Sequence, residues 1–425
     1  MKREVWLLFI IVAFVLYGCS HDNPMDNPPE DDPEMAPSGD IPCISITTYS
    51  NAGIKSKENY IRSTITFSSK GMDDVTLPGR VRGRGNSTWK DYPKKPYKIQ
   101  FDESWGLFGL PKSRNWILLA EYCDKSLLRT AFMCEIAKAI EMEYVIKYQH
   151  VELVIDGKYM GTYLLTEQVE RAYNKVNIPY EGFIIENDNY YAEEPLYVTT
   201  ERCSFNYTFK HPDPNEDDII RGDDNYRFIS NYLNTLEEEI QKIPEDCESY
   251  KQHVDVESFA KWFVVAEVTQ NWDPNFYYVL PKRNGKLKMV PFWDAEWTFG
   301  LALAGYPTSG WCYYPEKPRV DVSVWRDMKY FRYLLQDPSF VEEVQRQWTK
   351  LMDKDKRQDI VTRITAEREY ISNAQKNNFK RWPILDKYIS AGLVALGSWE
   401  AEADYVLSFF DQRVEWMDLW LKSLN

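Results

Sequence analysis

Alternating apolar and polar residues dominate the first half of the chain. Runs such as CISITTY and STITFSS place apolar side chains at every second position, which is typical of half-buried strands. The run KKPYKIQFD predicts a further strand, and Asp156-Gly157 between two apolar stretches predicts a β-hairpin. The pattern from Pro42 to Asp188 therefore predicts a strand-rich lobe.

Helical spacing occurs once within this lobe. In KSLLRTAFMCEIAKAIE, apolar residues recur every three or four positions, and the preceding Asp124 is a suitable N-cap. The predicted buried stripe consists of Leu128, Phe132, Ile136 and Ala139. Glu135 lies beside this stripe, where a carboxylate either takes a cationic partner or extends into water.

The second half of the chain follows a helical pattern. DVESFAKWFVVAEVTQ, which begins at Asp255, and the segments after Gly300 carry apolar residues on one face, whereas residues 189–250 are polar and are predicted to be irregular. The sequence thus predicts an α+β architecture of two lobes. The strand-rich lobe spans residues 42–188, and the mainly helical lobe spans residues 189–425.

The N-terminus follows neither pattern. A basic start and an apolar run from Val5 to Val15 precede Gly18-Cys19, and this arrangement resembles a bacterial lipoprotein signal. We expect residues 1–18 to be removed, Cys19 to carry a lipid anchor, and the Pro-rich acidic residues 19–41 to form a disordered linker. The expected location is the outer membrane or cell surface of a Gram-negative bacterium. An ordinary signal peptide with a chance cysteine is the alternative.

Composition narrows the chemistry. The formal net charge of −14 argues against general nucleic-acid binding. The cysteines other than Cys19 form no CxxC pair, so we expect no structural metal, and the sequence cannot choose among their fifteen pairings. The four histidines are scattered along the chain, so a histidine-centred catalytic triad is not expected.

The stretch NWDPNFYYVLPKRNGKLKMVPFWDAEWTFG carries the candidate chemistry. It predicts a strand from Phe276 to Leu280, a type I′ turn at Asn284-Gly285 and a returning strand from Lys286 to Val290. Because a hairpin brings its two ends together, Asp273 and Asp294 should lie in one cavity.

Two adjacent carboxylates, with Asn275 and Glu296 beside them, suit three functions. They could hold Mg²⁺, they could supply a base and a metal ligand for phosphoryl transfer, or they could be the acid and base of a glycoside hydrolase. The alternative is that both aspartates cap backbone N–H groups at the ends of the hairpin.

A basic segment upstream supplies candidate phosphate-binding groups. GRVRGRGNSTWKDYPKKPYKIQFD contains a glycine turn around Arg84, followed by Lys95 and Lys98. Backbone N–H groups of a glycine turn and a lysine on a strand can hold phosphates. A solvated basic loop would have a similar composition.

Six ordered blocks resemble the CotH family of spore-coat and surface kinases. The resemblance extends from Pro42 to Lys350, and its blocks are RGRGNSTW, KKPYKIQFD, LFGLPKSRNWILLAEYCDKSLLRTAF, VELVIDGKYMGTYLLTEQVE, NWDPNFYYVL and FWDAEWTFG. The resemblance implies an atypical protein-kinase-like fold that uses ATP with Mg²⁺ or Mn²⁺. It also implies phosphorylation of serine or threonine on an exported or surface protein, whose identity the sequence does not give.

The same resemblance implies roles for the aspartates. Asp273 would be the catalytic-loop base that takes the proton of the acceptor hydroxyl, and Asp294 would bind the metal. Asn275 would be a second metal ligand, although it follows Asp273 more closely than the corresponding asparagine does in ordinary kinases.

The resemblance also implies a cofactor-binding set. Lys98 is the first choice for the phosphate-contacting lysine and Lys95 the second, with Arg84 nearby. Glu135 is the expected ion-pair partner of the lysine, and Glu167 is the alternative. The competing function is that of a non-catalytic surface adhesin or scaffold that binds a host or polymer ligand, because an exported protein meets little ATP.

Overall fold

The computed structural model describes residues 35–301, 323–389 and 394–424. Cys19 and the predicted signal segment lie outside these ranges. The cysteines in the described ranges are all unpaired, namely Cys43, Cys123, Cys134, Cys203 and Cys247. No helix within these ranges is both long enough and apolar enough to cross a membrane.

In the described part of the chain, seven strands of the first half close into a barrel. The strands are β1 (Cys43–Thr48), β2 (Ile61–Ser68), β3 (Val75–Gly83), β4 (Tyr97–Trp105), β5 (Ser113–Leu119), β6 (Tyr148–Ile155) and β7 (Lys158–Glu167). Their order around the barrel is β1-β2-β3-β4-β5-β7-β6. The barrel closes where β1 runs parallel to β6, with Cys43 beside Glu152.

Alternate side chains of the strands fill the interior of the barrel. Ile65, Val81, Ile99 and Leu118 point inward and are almost fully buried, so the residues between them face outward. The predicted strand-rich first half is confirmed, as is the hairpin at Asp156-Gly157, which joins β6 to β7. The closed barrel differs from the kinase-like lobe that the family resemblance implied.

Two helices interrupt the barrel strands: α1 (Ser87–Asp91) and α2 (Arg129–Ala139). Helix α2 begins later than predicted. Asp124 is therefore not the N-cap residue, which is Leu128. The Asp124 carboxylate still accepts the backbone N–H of Arg129, the first residue of the helix, together with that of Ser126, and it pairs with the Arg129 guanidinium. All residues from 129 to 137 are buried, so the helix lies inside the protein instead of burying a single stripe.

In the described ranges, a second sheet has five strands. They are β8 (Phe183–Asn187), β9 (Tyr197–Thr199), β10 (Asn206–His211), β11 (Asn275–Leu280) and β12 (Lys288–Trp293). The sheet is antiparallel with the order β12-β11-β8-β10-β9. Strand β8, from the predicted first lobe, therefore pairs with strands of the second.

Helices dominate the remainder of the described chain. They are α3 (Asp224–Ile240), α4 (Val256–Val268), α5 (Phe331–Leu334), α6 (Pro338–Leu351), α7 (Lys354–Tyr370), α8 (Ala374–Arg381) and α9 (Trp399–Lys422). The prediction that residues 189–250 are irregular is wrong. Helix α3 forms there because Asp223 caps its first turn through the Tyr226 N–H, and Leu233 and Leu236 lie on its buried face.

Helix α4 supports the hairpin of β11 and β12 from behind. The Trp262 ring stacks on Phe276 of β11 and Phe292 of β12, with ring centroids 5.2 and 5.0 Å apart. Such aromatic contacts fix the hairpin against a rigid helix. The ends of the hairpin are therefore held in place by packing on the opposite face of the sheet.

The segment before β1 is fastened to the outside of the barrel. Ser38 donates its backbone N–H and its hydroxyl to the Glu152 carboxylate on β6, at 2.6 and 2.8 Å. Asn373 donates its side-chain amide to Asp40, and Asn377 of α8 donates its own to the Ala36 carbonyl. The chain thus reaches the barrel along β6 and α8.

A buried ion pair joins the barrel to helix α7 and predicts a pH dependence of stability. His150, on the outer face of β6, pairs with Glu367. Burial lowers the pKa of His150, but Glu367 outweighs burial and holds this pKa above 6.5. Burial raises the pKa of Glu367, but His150 outweighs it and holds this pKa below 4.5. The pair therefore stabilises the fold most between pH 4.5 and 6.5.

We expect His150→Gln to lower the free energy of unfolding most within that window. The difference in the free energy of unfolding between the two proteins should decrease as the pH rises through the folded pKa of His150. It should also decrease as the pH falls through the folded pKa of Glu367. Denaturant unfolding of both proteins from pH 4 to 9 measures this difference. A difference that stays constant across the range would contradict the ion pair.

Candidate functional site

The hairpin brings Asp273 and Asp294 together. Asn275 pairs with Trp293 in the register of β11 and β12, so the residues just beyond this pair are neighbours. The connection between the strands is longer than the predicted two-residue turn, because β11 ends at Leu280 and β12 begins at Lys288. The ends of the hairpin, and not its turn, form the candidate site.

Asn271 fixes the backbone on both sides of the site. Its side-chain oxygen accepts the Asp273 N–H at 3.0 Å, and its side-chain amide donates to the Asp294 carbonyl at 2.7 Å. Its own carbonyl accepts the Trp325 indole N–H at 3.0 Å. Asn271 is fully buried, so these hydrogen bonds are shielded from water. In the sequence, the feature that could have identified Asn271 is its position directly after the predicted helix, at the start of NWDPN.

Negative charge accumulates around Asp294. Burial raises the pKa of its carboxyl to about 7, and Asp273 and Glu296 act in the same direction. Asp273 itself reaches solvent, yet the surrounding protein raises its pKa through desolvation. Asp294 also has a left-handed backbone (φ 65°), a conformation that is uncommon for non-glycine residues and frequent at functional sites.

Arg84 opposes this negative charge. It follows β3 in the glycine turn, and its guanidinium lies over the Trp293 ring at 5.8 Å. Burial lowers its pKa from 12.5, while the phenol of Tyr277 and the carboxyl of Asp294 act in the opposite direction. The turn requires glycine beside Arg84, because Gly85 has φ +82° and an added Cβ would lie 2.4 Å from the Thr88 hydroxyl.

Glu186 of β8 is a further carboxylate near the site, and its side chain is buried. The Asn275 amide donates to it, and Lys210 lies 3.1 Å away. Asn275, which the resemblance made a metal ligand, is therefore tied to Glu186. In the sequence, Glu186 directly follows the apolar run GFII, which predicts a buried position. A carboxylate that is buried requires hydrogen-bonding or charged partners, and this requirement could have identified Glu186.

Glu296 connects the site to the barrel. Its carboxylate accepts the Cys123 N–H at 2.6 Å, and burial raises its pKa to about 7. Lys94, the first lysine of KKPYK, opposes that rise. Lys94 is almost fully buried, and burial lowers its pKa to about 7. For the phosphate-contacting lysine, the sequence had favoured Lys98 and Lys95 and not Lys94.

The predicted lysine–glutamate ion pair does not form. Lys95 donates instead to the Trp89 carbonyl at 2.6 Å, and Lys98 faces outward beside Arg82 of β3. Glu135 pairs with Lys138, one turn along its own helix, at 2.6 Å. Glu167 pairs with Lys147 at 3.5 Å. Local partners thus neutralise both glutamates.

A divalent cation fits the aspartate pair. Within the described ranges, no group of three or more His, Cys, Asp or Glu side chains could hold a metal by itself. Mg²⁺, however, commonly binds one or two carboxylates together with phosphates and water. The mutual repulsion that helps to raise the pKa of Asp294 is what a divalent cation would relieve.

The fold and the site together define a class of protein: an α+β chain with an aspartate pair at the ends of a hairpin and, beside it, an arginine from a glycine turn. A family model described as CotH kinase protein matches residues 81–417, which is most of the chain. The chain therefore belongs to the CotH family. A search of the curated proteins finds no match.

The match differs in extent from the resemblance seen in the sequence. It begins within β3 instead of at Pro42, and it continues beyond Lys350 into α9. The matched region includes Arg84, Asp273 and Asp294. The C-terminal helices, which carried no distinctive motif, are thus part of the family domain.

Proposed function

We propose that this protein is a metal-dependent phosphotransferase that transfers the γ-phosphoryl group of ATP to a serine or threonine of an exported or surface protein. The observation that carries the proposal is the half-buried Asp294 carboxylate, whose pKa is raised by burial and by Asp273, with Arg84 over the ring of the preceding Trp293. Phosphoryl transfer depends mainly on positioning and charge neutralisation. Two carboxylates and a cation supply these requirements.

Each residue has a defined task in this proposal. Asp294 would hold Mg²⁺ or Mn²⁺, and the bound metal–ATP complex would supply the phosphoryl group and a compensating positive charge. Arg84 would contact the phosphates, because its guanidinium lies over the ring of Trp293, next to Asp294 in the chain, and interacts electrostatically with Asp294. Asp273 would take the proton of the acceptor hydroxyl, since it is exposed and its raised pKa makes it a stronger base.

Lys98 is a second cation for the nucleotide. It lies opposite Arg82 in the register of β3 and β4, on the strand that follows the glycine turn. Its proposed role is to contact phosphate from the barrel side. Neither Glu135 nor Glu167 orients it, so that part of the kinase pattern is absent.

The kinase-like character that we propose belongs to the site and not to the lobe that surrounds it. A glycine turn, a strand lysine, a helix–loop aspartate, a hairpin and a second aspartate occur in the order found in protein kinases. A closed barrel provides the first two of these elements. The family description as a kinase protein supports the same class of reaction.

ATP binding by the purified protein tests the proposal. We expect calorimetry to show binding of ATP that depends on Mg²⁺ or Mn²⁺. We also expect slow hydrolysis of the bound nucleotide when no acceptor is present. Absence of binding with either metal would reject the phosphotransferase. The non-catalytic adhesin or scaffold would then be the better description, and glycan and host-protein arrays would be the next experiment.

We further propose that a lipid on Cys19 holds the protein at the outer membrane or cell surface of a Gram-negative bacterium. The basic start, the short apolar run and Gly18-Cys19 support this location. We expect Cys19→Ser to move the protein from the membrane fraction to the soluble fraction and to abolish incorporation of labelled fatty acid. Unchanged fractionation and labelling would reject the anchor.

A further inference from the structure

A basic face covers the outside of the barrel beside the candidate site. It consists of Arg62 on β2, Arg80 and Arg82 on β3, and Lys98 on β4. Arg62 pairs with Arg80 in the strand register, and Arg82 pairs with Lys98. Because alternate residues of these strands fill the barrel, all four basic side chains emerge on its outer side.

No carboxylate in the described ranges forms an ion pair with the basic face. Arg80 donates to the Gln100 side chain at 2.7 Å, and Arg82 donates to the Gly83 carbonyl at 3.2 Å. Both guanidiniums lie over the Tyr60 ring, at 5.0 and 5.2 Å from its centroid. Their neighbours are thus neutral groups, although the chain has a net charge of −14. Four adjacent cations without acidic partners attract anions.

A groove lies beside the basic face and shares Arg62 with it. It has a volume of about 570 Å³, and its lining includes Tyr49, Lys55, Tyr60 and Arg62. The carbonyl of Ser56, which also lines the groove, accepts the Gly83 N–H at 2.7 Å. The wall of the groove is therefore joined to the strand end that carries Arg84.

We propose that Arg62 and Arg80 of the basic face, together with this groove, bind an acidic segment of the acceptor protein and direct its serine or threonine toward Asp273. The inference rests on the proposed phosphotransferase function. Arg62 and Arg80 lie on neighbouring strands, whose backbones are about 4.8 Å apart, so they can pair with carboxylates close together on one extended peptide. Tyr49, which is 74% exposed, offers an aromatic surface to the same peptide.

Removal of charge from the outer part of the basic face tests this inference. The test variant is Arg62→Gln with Arg80→Gln, since both residues are exposed and neither contacts the nucleotide in the proposed site. The matched control is Arg332→Gln with Lys354→Gln, which removes the same charge from exposed positions on α5 and α7. The probes are a labelled twelve-residue peptide with one serine among aspartates and glutamates, and its counterpart with lysines in place of the acids.

We expect the wild type and the control to bind the acidic peptide more tightly than the basic one. The test variant should bind the acidic peptide about five- to tenfold more weakly at low salt, as expected for the loss of two exposed ion pairs. If the peptide is phosphorylated, its KM should rise while kcat stays unchanged. ATP binding with Mn²⁺ should be the same in all three proteins.

Peptide binding, followed by fluorescence anisotropy, does not require transfer. Equal affinity of the wild type and the test variant for the acidic peptide would overturn the inference, and so would preference for the basic peptide. Loss of acidic-peptide binding in the test variant alone would support it. Absence of metal-dependent ATP binding alongside intact peptide binding would reject the proposed function and leave the anion-binding face established.

Discussion

Asp294→Asn should abolish metal-dependent ATP binding and, at the same time, raise the thermal stability of the protein at pH 8. The neutral amide cannot replace a carboxylate ligand of Mg²⁺ or Mn²⁺. In the folded protein the pKa of Asp294 is raised from 3.8 to about 7. Ionisation of Asp294 therefore lowers the free energy of unfolding as the pH rises through that range. Asparagine removes this cost while keeping the shape of the side chain.

Two measurements on one variant check the Asp294 prediction. Calorimetry with Mn²⁺ and ATP should show at least a hundredfold loss of affinity. Thermal unfolding without metal should show a melting temperature a few degrees above that of the wild type at pH 8 and close to it at pH 4. Asp73→Asn, at an exposed position before β3, is the matched control and should change neither quantity. Wild-type nucleotide affinity in Asp294→Asn would remove this residue from the metal site.

Asp273→Asn should slow transfer and hydrolysis while leaving ATP binding intact. Asparagine cannot take a proton from the acceptor, so transfer and hydrolysis should fall about 10²- to 10⁴-fold, the range for loss of a general base. ATP binding should persist, because Asp294 and Arg84 remain. The exposed position of Asp273 makes a loss of folding unexpected.

Hydrolysis of ATP and its binding constant, measured on the same preparation, check the Asp273 prediction. A low hydrolysis rate with a binding constant within about threefold of wild type fits the role of a base. If the Asp273→Asn and Asp294→Asn variants both turn over ATP as well as the wild type, the assignment of the site is wrong.

The hairpin was predictable because the information for it is local. Apolar runs on both sides of Asn284-Gly285 indicate two paired strands, and pairing brings Asp273 close to Asp294. The exact turn was not predictable, since the seven residues between β11 and β12 adopt a longer loop than the dipeptide indicates. An error in the turn does not disturb the ends of the hairpin.

Closure of the barrel was not readable from the sequence. It depends on the parallel pairing of Cys43 with Glu152, which lie far apart in the chain, and no periodicity within either strand specifies that partner. The ion pair of Lys98 with Glu135 failed for a related reason. The spacing located Glu135 on a helix, but only the tertiary packing of α2 decides whether Lys138 or Lys98 reaches it.

Residues that organise the site were harder to recognise than those that act in it. Asn271 and Glu186 work through hydrogen bonds to Asp273, Asp294 and Asn275, and such roles depend on contacts between separate elements. Their sequence signal is weak: a polar residue at the end of an apolar segment, where burial demands partners. Arg84 was easier to find because the glycines beside it indicate a turn.

The attachment of Ser38 to Glu152 fixes the side of the barrel at which the N-terminal segment meets it. Around the closed barrel, β6 is separated from β3 by β1 and β2, and from β4 by β7 and β5. The chain therefore meets the barrel on the side away from the basic face. With an anchor at Cys19, the residues up to Ser38 could extend about 65 Å at most. A linker that leaves the barrel on that side would let the candidate site and the basic face turn away from the bilayer and toward neighbouring proteins.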